Sequence, residues 1–341
     1  MTSTKDINFA GLSVVLQPLQ SSSPVTPLHE WLADFDTLPI WIPLRKTNGI
    51  SKIMPVLPQP QSYPNLMQVI CQQIGSNSSV EWREKPYSIG GVEVDSHSLH
   101  TIQLNISTFK PFPPTLSRAI HALCLRWFAN TSSELAEKLH QQATLPMTIG
   151  LKYCSPKQSL LRISLLQKEL LAPLLWGMNA DLGNEIVLAG IPCRLGGWVD
   201  IIQSSSYERL VQIPAQKTIE FQFLTPTSFK QNQNIQPFPL PELVFKGLLR
   251  RWNTFAPQEL HFPQIEWNGV VSGYELKTYA MKMEGGAEIG AEGKVKYRFK
   301  DSEQARIATI LAHFACYSGI GRKTGMGMGQ VTVNSEQLST K

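Results

Sequence analysis

Ile102, Leu104 and Ile106 alternate with polar neighbours, the pattern of a strand with one buried face. Pro111-Phe112-Pro113-Pro114 follows. Next come Leu116, Ala119, Ile120, Leu123, Cys124, Trp127 and Phe128 on one helical stripe, with Arg126-Trp127 near its end. The same order returns later. Ile219, Phe221 and Phe223 alternate, Pro237-Phe238-Pro239-Leu240 follows, and a helical pattern ends on Arg250-Arg251-Trp252. From the first proline to the tryptophan is 16 residues in one copy and 15 in the other. Strand, proline turn, helix and Arg-Trp, met twice, predict a duplicated unit.

Each copy continues with strand-like segments and a second helix, which predicts an α+β fold of tandem ferredoxin-like (βαββαβ) units. In the first copy a short helix is expected over Ser133–His140 and strands over Met147–Tyr153 and Leu160–Leu165. A helix over Lys168–Met178 contains an awkward Pro173, and Gly197–Ile202 supplies a fourth strand. In the second copy Pro241 suits a first helical turn. Val270–Met283 and Lys294–Phe299 read as strands around Glu284-Gly285-Gly286. Asp301 and Gln304 form a capping box for a helix over Ser302–Tyr317, whose buried stripe is Ile307, Ile310, Leu311 and Phe314. The expected units are an N-terminal extension over 1–96, a first domain over 97–210 and a second over 211–341. The extension is rich in proline, serine and glutamine. Short elements are expected at Leu12–Leu19, His29–Phe35 and Asn65–Ile74, and Trp31, Trp41 and Trp82 point to packing rather than disorder.

Composition narrows the partners. The chain has 341 residues, 42% of them apolar, and a net charge of +5, which suits a polyanionic partner. Five scattered cysteines (Cys71, Cys124, Cys154, Cys193, Cys316) form no CxxC pair, against a disulfide framework or zinc site. No apolar run approaches the ~18 residues of a membrane span, and the start Met1-Thr2-Ser3-Thr4-Lys5-Asp6 is polar. A cytoplasmic protein without membrane contact is expected.

The densest chemistry lies at Gly319-Ile320-Gly321-Arg322-Lys323-Thr324-Gly325-Met326-Gly327-Met328-Gly329, before the strand-like Gln330–Val333. Glycines permit φ > 0 and close backbone approach. Successive amides can form an anion nest, with Arg322 and Lys323 adding charge. Walker A needs Gly-Lys-Ser/Thr, whereas Lys323-Thr324 follows an arginine. The dinucleotide fingerprint runs from strand to helix, the reverse of this order. The bland alternative is a structural glycine turn.

This stretch, with Phe223–Phe229 and Pro237–Phe245, resembles the CRISPR repeat-RNA processing endoribonucleases of the repeat-associated mysterious protein (RAMP) superfamily. Ala119–Leu123, Glu134–His140 and Pro146–Ile149 resemble that family's first helix, Leu-His segment and second strand. The resemblance covers about residues 98–334 and leaves the first ~97 unexplained. It implies tandem ferredoxin-like RAMP domains and cleavage of CRISPR precursor transcripts within repeats, without metal or cofactor. The 2′-OH attacks the adjacent phosphate, leaving 2′,3′-cyclic phosphate and 5′-OH ends.

By that resemblance His140 occupies the catalytic histidine's position, and His121 falls where some members carry an active-site tyrosine. Histidine suits acid–base work near neutral pH. Where a family lysine follows the histidine, this chain has Leu145 or Pro146, so Arg118 or Arg126 becomes the candidate for stabilising phosphorane charge. The expected RNA contacts are Gly319, Gly321, Arg322, Lys323, Gly325, Gly327 and Gly329, with Lys246, Arg250 and Arg251; solvated surface is the alternative for the last three. His29, His97, His100, His261 and His313 show no acidic or cysteine neighbours at ligand spacing, so no metal site is expected. Glu284 and Glu288 read as loop and surface residues. The expected partners are CRISPR repeat RNA, as precursor and mature guide, and other Cas proteins of an interference complex. The alternative function is a non-catalytic RNA-binding RAMP subunit of such a complex.

Overall fold

A computed structural model describes residues 9–19, 25–33, 35, 37–45, 51–76, 79–113, 115–283 and 286–334. Among these, no helix is long and apolar enough to cross a membrane. Pro114, Glu284 and Gly285 lie outside the described residues.

The first elements are β1 (Gly11–Pro18), β2 (Val25–Pro27), β3 (Ile40–Pro43), β4 (Ser51–Val56), α1 (Tyr63–Gly75), β5 (Ser79–Trp82) and β6 (Lys85–Asp95). Their strands form one six-stranded sheet ordered β2-β5-β6-β1-β4-β3. Leu12, Val14 and Leu16 of β1 pack in its core with Leu66 and Ile70 of α1. The expected elements at Leu12–Leu19 and Asn65–Ile74 are present, whereas Leu28–Ala33 is a turn. The long strand β6 has no counterpart in the sequence expectation. Its outward residues are mixed, so only Tyr87, Ile89 and Val92 mark it.

Next come β7 (Leu99–Thr108), α2 (Leu116–Thr131), α3 (Ser133–Gln141), β8 (Met147–Ser155), β9 (Gln158–Leu165), α4 (Leu171–Met178), β10 (Glu185–Leu188), β11 (Ile191–Leu195), β12 (Asp200–Ser205) and α5 (Tyr207–Leu210). The path β12-β7-β9-β8 is the antiparallel order of a ferredoxin-like unit. The hairpin β10–β11, absent from the sequence expectation, extends β7 at its other end. The helix expected from Lys168 is a 3₁₀ turn followed by α4, which places Pro173 in the first α-helical turn, where a missing N–H is harmless. Gly177 lets α4 cross α2 closely: a Cβ there would lie 1.7 Å from the Trp127 carbonyl oxygen.

The remaining elements are β13 (Thr218–Thr227), β14 (Phe229–Gln231), β15 (Asn234–Gln236), α6 (Pro241–Phe255), β16 (Val270–Met283), β17 (Gly286–Arg298), α7 (Ser302–Ser318) and β18 (Val331–Asn334). The sheet order β16-β17-β13-β18 repeats the ferredoxin-like order. Asp301 caps α7 by accepting from the Gln304 backbone amide, but the expected capping box does not close: the Gln304 side chain accepts from the Asn268 N–H and donates to the Glu266 carbonyl instead. The repeated tryptophans explain the repeated motif. Trp127 and Trp252 are fully buried, one in each core, with their indole N–H groups satisfied by Asp181 at 2.7 Å and by the Leu260 carbonyl at 2.8 Å. The architecture is α+β with tandem ferredoxin-like domains.

Candidate functional site

The two ferredoxin-like domains meet along the glycine-rich loop between α7 and β18. Its short 3₁₀ turn, Thr324–Met326, packs on β8 and α2 of the first domain. Thr148 donates to the Tyr317 carbonyl at 2.8 Å, and Gln330 donates to the Ile149 carbonyl at 3.2 Å. Both bonds cross the joint and hold the loop against β8.

The loop's glycines act first through backbone geometry. Gly319, Gly321, Gly327 and Gly329 all have positive φ, and so does Lys323 at 53°. A Cβ on Gly321 would lie 2.4 Å from the Ser228 carbonyl oxygen, and one on Gly329 would lie 2.0 Å from that of Ile320. Gly325 does not need positive φ; it is small because Leu145 and His121 press against it. Several amides are already committed. Ile320 donates to Gly329, Arg322 to Ser228, Met326 and Met328 to Lys323, and Gly329 to Pro226. The loop therefore differs from an open nest: much of its donor capacity holds its own shape.

One histidine of the first domain reaches this loop, and a second lies near that histidine. His121 sits on α2, half-buried, and its Nδ1 lies 2.9 Å from the Gly325 carbonyl oxygen. A carbonyl only accepts, so Nδ1 carries the proton and Nε2 keeps a lone pair. Burial pushes the His121 pKa below its ordinary value. The Gly325 bond raises it in part, and the nearby charge of His140 lowers it again. His140 stands exposed in the last turn of α3. Arg118 is exposed one turn before His121 on α2. The structure thus brings His121 to the Gly325 bend, with His140 near enough for its charge to act on His121. It does not bring Arg126 there: Arg126 pairs with Asp181 at 2.6 Å, beside the Trp127 indole.

The basic residues divide into three environments. Arg322 and Lys323 share one carboxylate, Glu288 of β17, at 3.1 and 2.5 Å, which leaves the trio with a net positive charge. Glu288 is therefore not a plain surface residue. The Lys323 hydrogen bond and both positive charges hold its carboxyl below the usual range. Arg251 is half-buried and donates to the Ser318 carbonyl, anchoring the end of α7, and it also lines the cavity beside α6. Burial first, then the neighbouring Arg250 charge, bring its pKa down to about 10. Lys246 and Arg250 remain exposed on α6 and line a cavity of about 630 Å³ with Lys230, Gly319, Gly321 and Arg322.

The histidines set aside as isolated are also repositioned. Asp95, at the end of β6, accepts from His97 Nδ1 at 2.8 Å and from His100 Nε2 at 2.9 Å. Their ligand atoms all lie within 4.8 Å of one another, close enough to hold a metal ion. Their other nitrogens argue against it. A ligating histidine usually donates its second N–H. Here Arg209 donates into His97 Nε2 at 2.9 Å, and His100 Nδ1 is buried without a partner. The cluster works as a hydrogen-bonded hub joining β6, β7 and α5. Burial acts to raise the Asp95 pKa, but the bonds from both histidines and the His100 charge outweigh it and hold it at about 2.

Two ferredoxin-like domains meeting at a glycine-rich loop are the architecture that the resemblance to RAMP proteins implies. The chain resembles, more narrowly, the CRISPR-associated endoribonuclease Cas6 family. Residues 221–331 match that family's model. A Cas6 endoribonuclease of Mycobacterium tuberculosis is 28% identical over 165 residues, 44% of this chain and 52% of the relative. One of Streptococcus thermophilus is 24% identical over 124 residues, 34% and 50% of the two chains. The chain thus spans about half the length of the curated relatives it matches. A Thermus thermophilus Cas6 product complex superposes with a TM-score of 0.62 at 25% identity, over 70% of this chain and 100% of that one. A second Cas6 product complex gives 0.58 at 28% identity, over 70% and 99%.

Proposed function

We propose that the protein is an endoribonuclease that cuts CRISPR precursor transcripts within their repeats and so produces guide RNA. The observation that carries this reading is the contact of His121, from the first domain, with the Gly325 bend of the second, where the charge of His140 also acts on His121. Relatives of the Cas6 type, some solved as product complexes, support it. Neutral His121, with Nε2 unprotonated, takes the proton of a 2′-OH as that oxygen attacks the adjacent phosphorus. Protonated His140 gives its proton to the departing 5′-oxygen. One P–O bond forms and one breaks, leaving a 2′,3′-cyclic phosphate and a 5′-OH. Arg118 is the proposed cation for the phosphorane, and the loop aligns the phosphate for in-line attack.

No metal takes part in this scheme. Cleavage of the cognate repeat RNA should persist in EDTA, and a 2′-deoxy nucleotide at the scissile position should block it. Loss of cutting in EDTA with recovery in Mg²⁺ or Mn²⁺ would sink the mechanism. We take residues 1–96, 97–210 and 211–341 as the three working units, the repeat RNA as substrate, and other Cas proteins as potential neighbours. Leu145 and Pro146, in place of a lysine after His140, favour the second reading: a RAMP subunit that binds RNA without cutting it. Binding without cleavage of the repeat would select it.

A further inference from the structure

The cavity of about 630 Å³ beside α6 is bounded by the β14–β15 hairpin, the start of the glycine-rich loop and the middle of α6 itself. Its size falls within the ~300–1,000 Å³ of small-ligand sites. Lys230, Lys246 and Arg250 line it, and among the described residues none of the three has an ion-pair partner. Glu242 is the one carboxylate in the wall. Gln231, Asn232 and Gln264 place side-chain amides around the same space.

Gly247 is the second observation. It lies inside α6, between Lys246 and Arg250 on the cavity wall. Glycine in a helix interior costs about 1 kcal/mol relative to alanine. Packing does not require it here: a Cβ at Gly247 would meet nothing within 4 Å. A helix position that is open, glycine-occupied and flanked by unpaired cations suits a ligand that comes close to the backbone.

We infer that this cavity receives one unpaired nucleotide of an RNA strand, its phosphates on Lys230, Lys246 and Arg250 and its base edge against the amide side chains. Bases splayed from single strands are read in this way by hydrogen bonds to their exposed edges. The inference rests on the RNA-processing reading and adds a place for the strand beyond the reacting phosphate. Gly321 in the cavity wall and Gly325 at His121 are four residues apart, so their Cα atoms are at most about 14 Å apart. The cavity wall and the His121 bend therefore belong to one short stretch of loop.

The test compares Gly247→Ala with Gly247→Leu in the full chain, using labelled single-stranded oligo(U) and the same strand paired with oligo(A). Both variants should unfold no earlier than the wild type, since each improves helix propensity. Gly247→Leu fills the cavity and should weaken oligo(U) binding about tenfold or more. Gly247→Ala should weaken it less, and the duplex should be affected least. Arg250→Ala should make the salt dependence of oligo(U) binding shallower by up to ~0.7. A folded Gly247→Leu protein that binds oligo(U) as the wild type does overturns the inference, as does an equal loss for strand and duplex. The two readings fail separately. Intact repeat cleavage with no Gly247→Leu effect removes only the cavity. No repeat cleavage, with oligo(U) binding still lost in Gly247→Leu, removes only the nuclease.

Discussion

The two ferredoxin-like domains carry the same helix in the same place, yet use it differently. In the first, α2 turns His121 toward the Gly325 bend and its Arg126 away to Asp181. In the second, α6 sends Arg251 inward to the Ser318 carbonyl and exposes Lys246, Gly247 and Arg250 beside the loop's start. Both helices keep a buried tryptophan. The comparison teaches a division of labour within a duplication. On the proposed mechanism the first copy supplies titrating groups and the second a positively charged, shaped backbone, and the glycine-rich loop touches both.

The largest effect that could break this division is on chemistry. His140→Ala should lower single-turnover cleavage by ~10²-fold or more while repeat affinity changes little. Normal cleavage in His140→Ala together with loss in His121→Ala would move the essential role to α2. Indifference to both would remove the first copy's assigned task.

Next in size is the loop's backbone. Gly321→Ala combines φ of +81° with a Cβ 2.4 Å from the Ser228 carbonyl oxygen. It should destabilise the protein by about 1–3 kcal/mol in chemical denaturation. Gly325→Ala has ordinary φ and its one tight neighbour is the flexible end of Leu145 at 3.0 Å, with His121 and Met147 at ordinary contact distance, so its stability should stay close to wild type. Equal losses at the two positions would show that the loop is strained uniformly and not shaped differently toward each domain.

These contrasts also mark what the sequence could carry. The duplication was legible because each Arg-Trp closes a helix whose indole is buried, and core positions repeat with the period of their element. The nearness of His140 to His121 was legible only through family resemblance, since the two residues lie on different helices. Glu288 was missed because its partners stand 34 and 35 residues away, across the β17–α7 connection. Asp95 was missed although it lies two residues before His97, since the pairing depends on how β6 hands over to β7. Its third participant, Arg209, is 112 residues from His97. Lys230 and Gly247 carry no local motif at all; the cavity between them exists only in the fold.

A smaller effect tests the second copy's charge. Arg322 and Lys323 are held by a partly exposed carboxylate, and such pairs contribute roughly 0–1 kcal/mol. Glu288→Gln should therefore raise affinity for repeat RNA by no more than about fivefold at low salt, with the gain fading as salt rises. The pair Arg322→Ala and Lys323→Ala should act oppositely, making the salt dependence shallower by up to ~0.7 for each lost contact. If Glu288→Gln weakens binding instead, the carboxylate positions the two cations for RNA and does not compete with it.

The smallest effect is a titration, and it reports on the joint itself. His121 is pushed below its ordinary pKa by burial, and further by the charge of His140. Removing that charge with His140→Gln leaves burial and the Gly325 bond in place. The His121 pKa, followed by NMR of its ring protons, should then rise but stay below the ordinary histidine value near 6.5. In the wild type His121 stays neutral at pH 7, so the acid limb of the cleavage rate due to this base should lie below pH 6.5. The limb should move upward wherever the titration does. An unmoved His121 pKa in His140→Gln would mean that the two histidines do not sense each other. The proton would then have to enter and leave the reaction through groups that do not share one site.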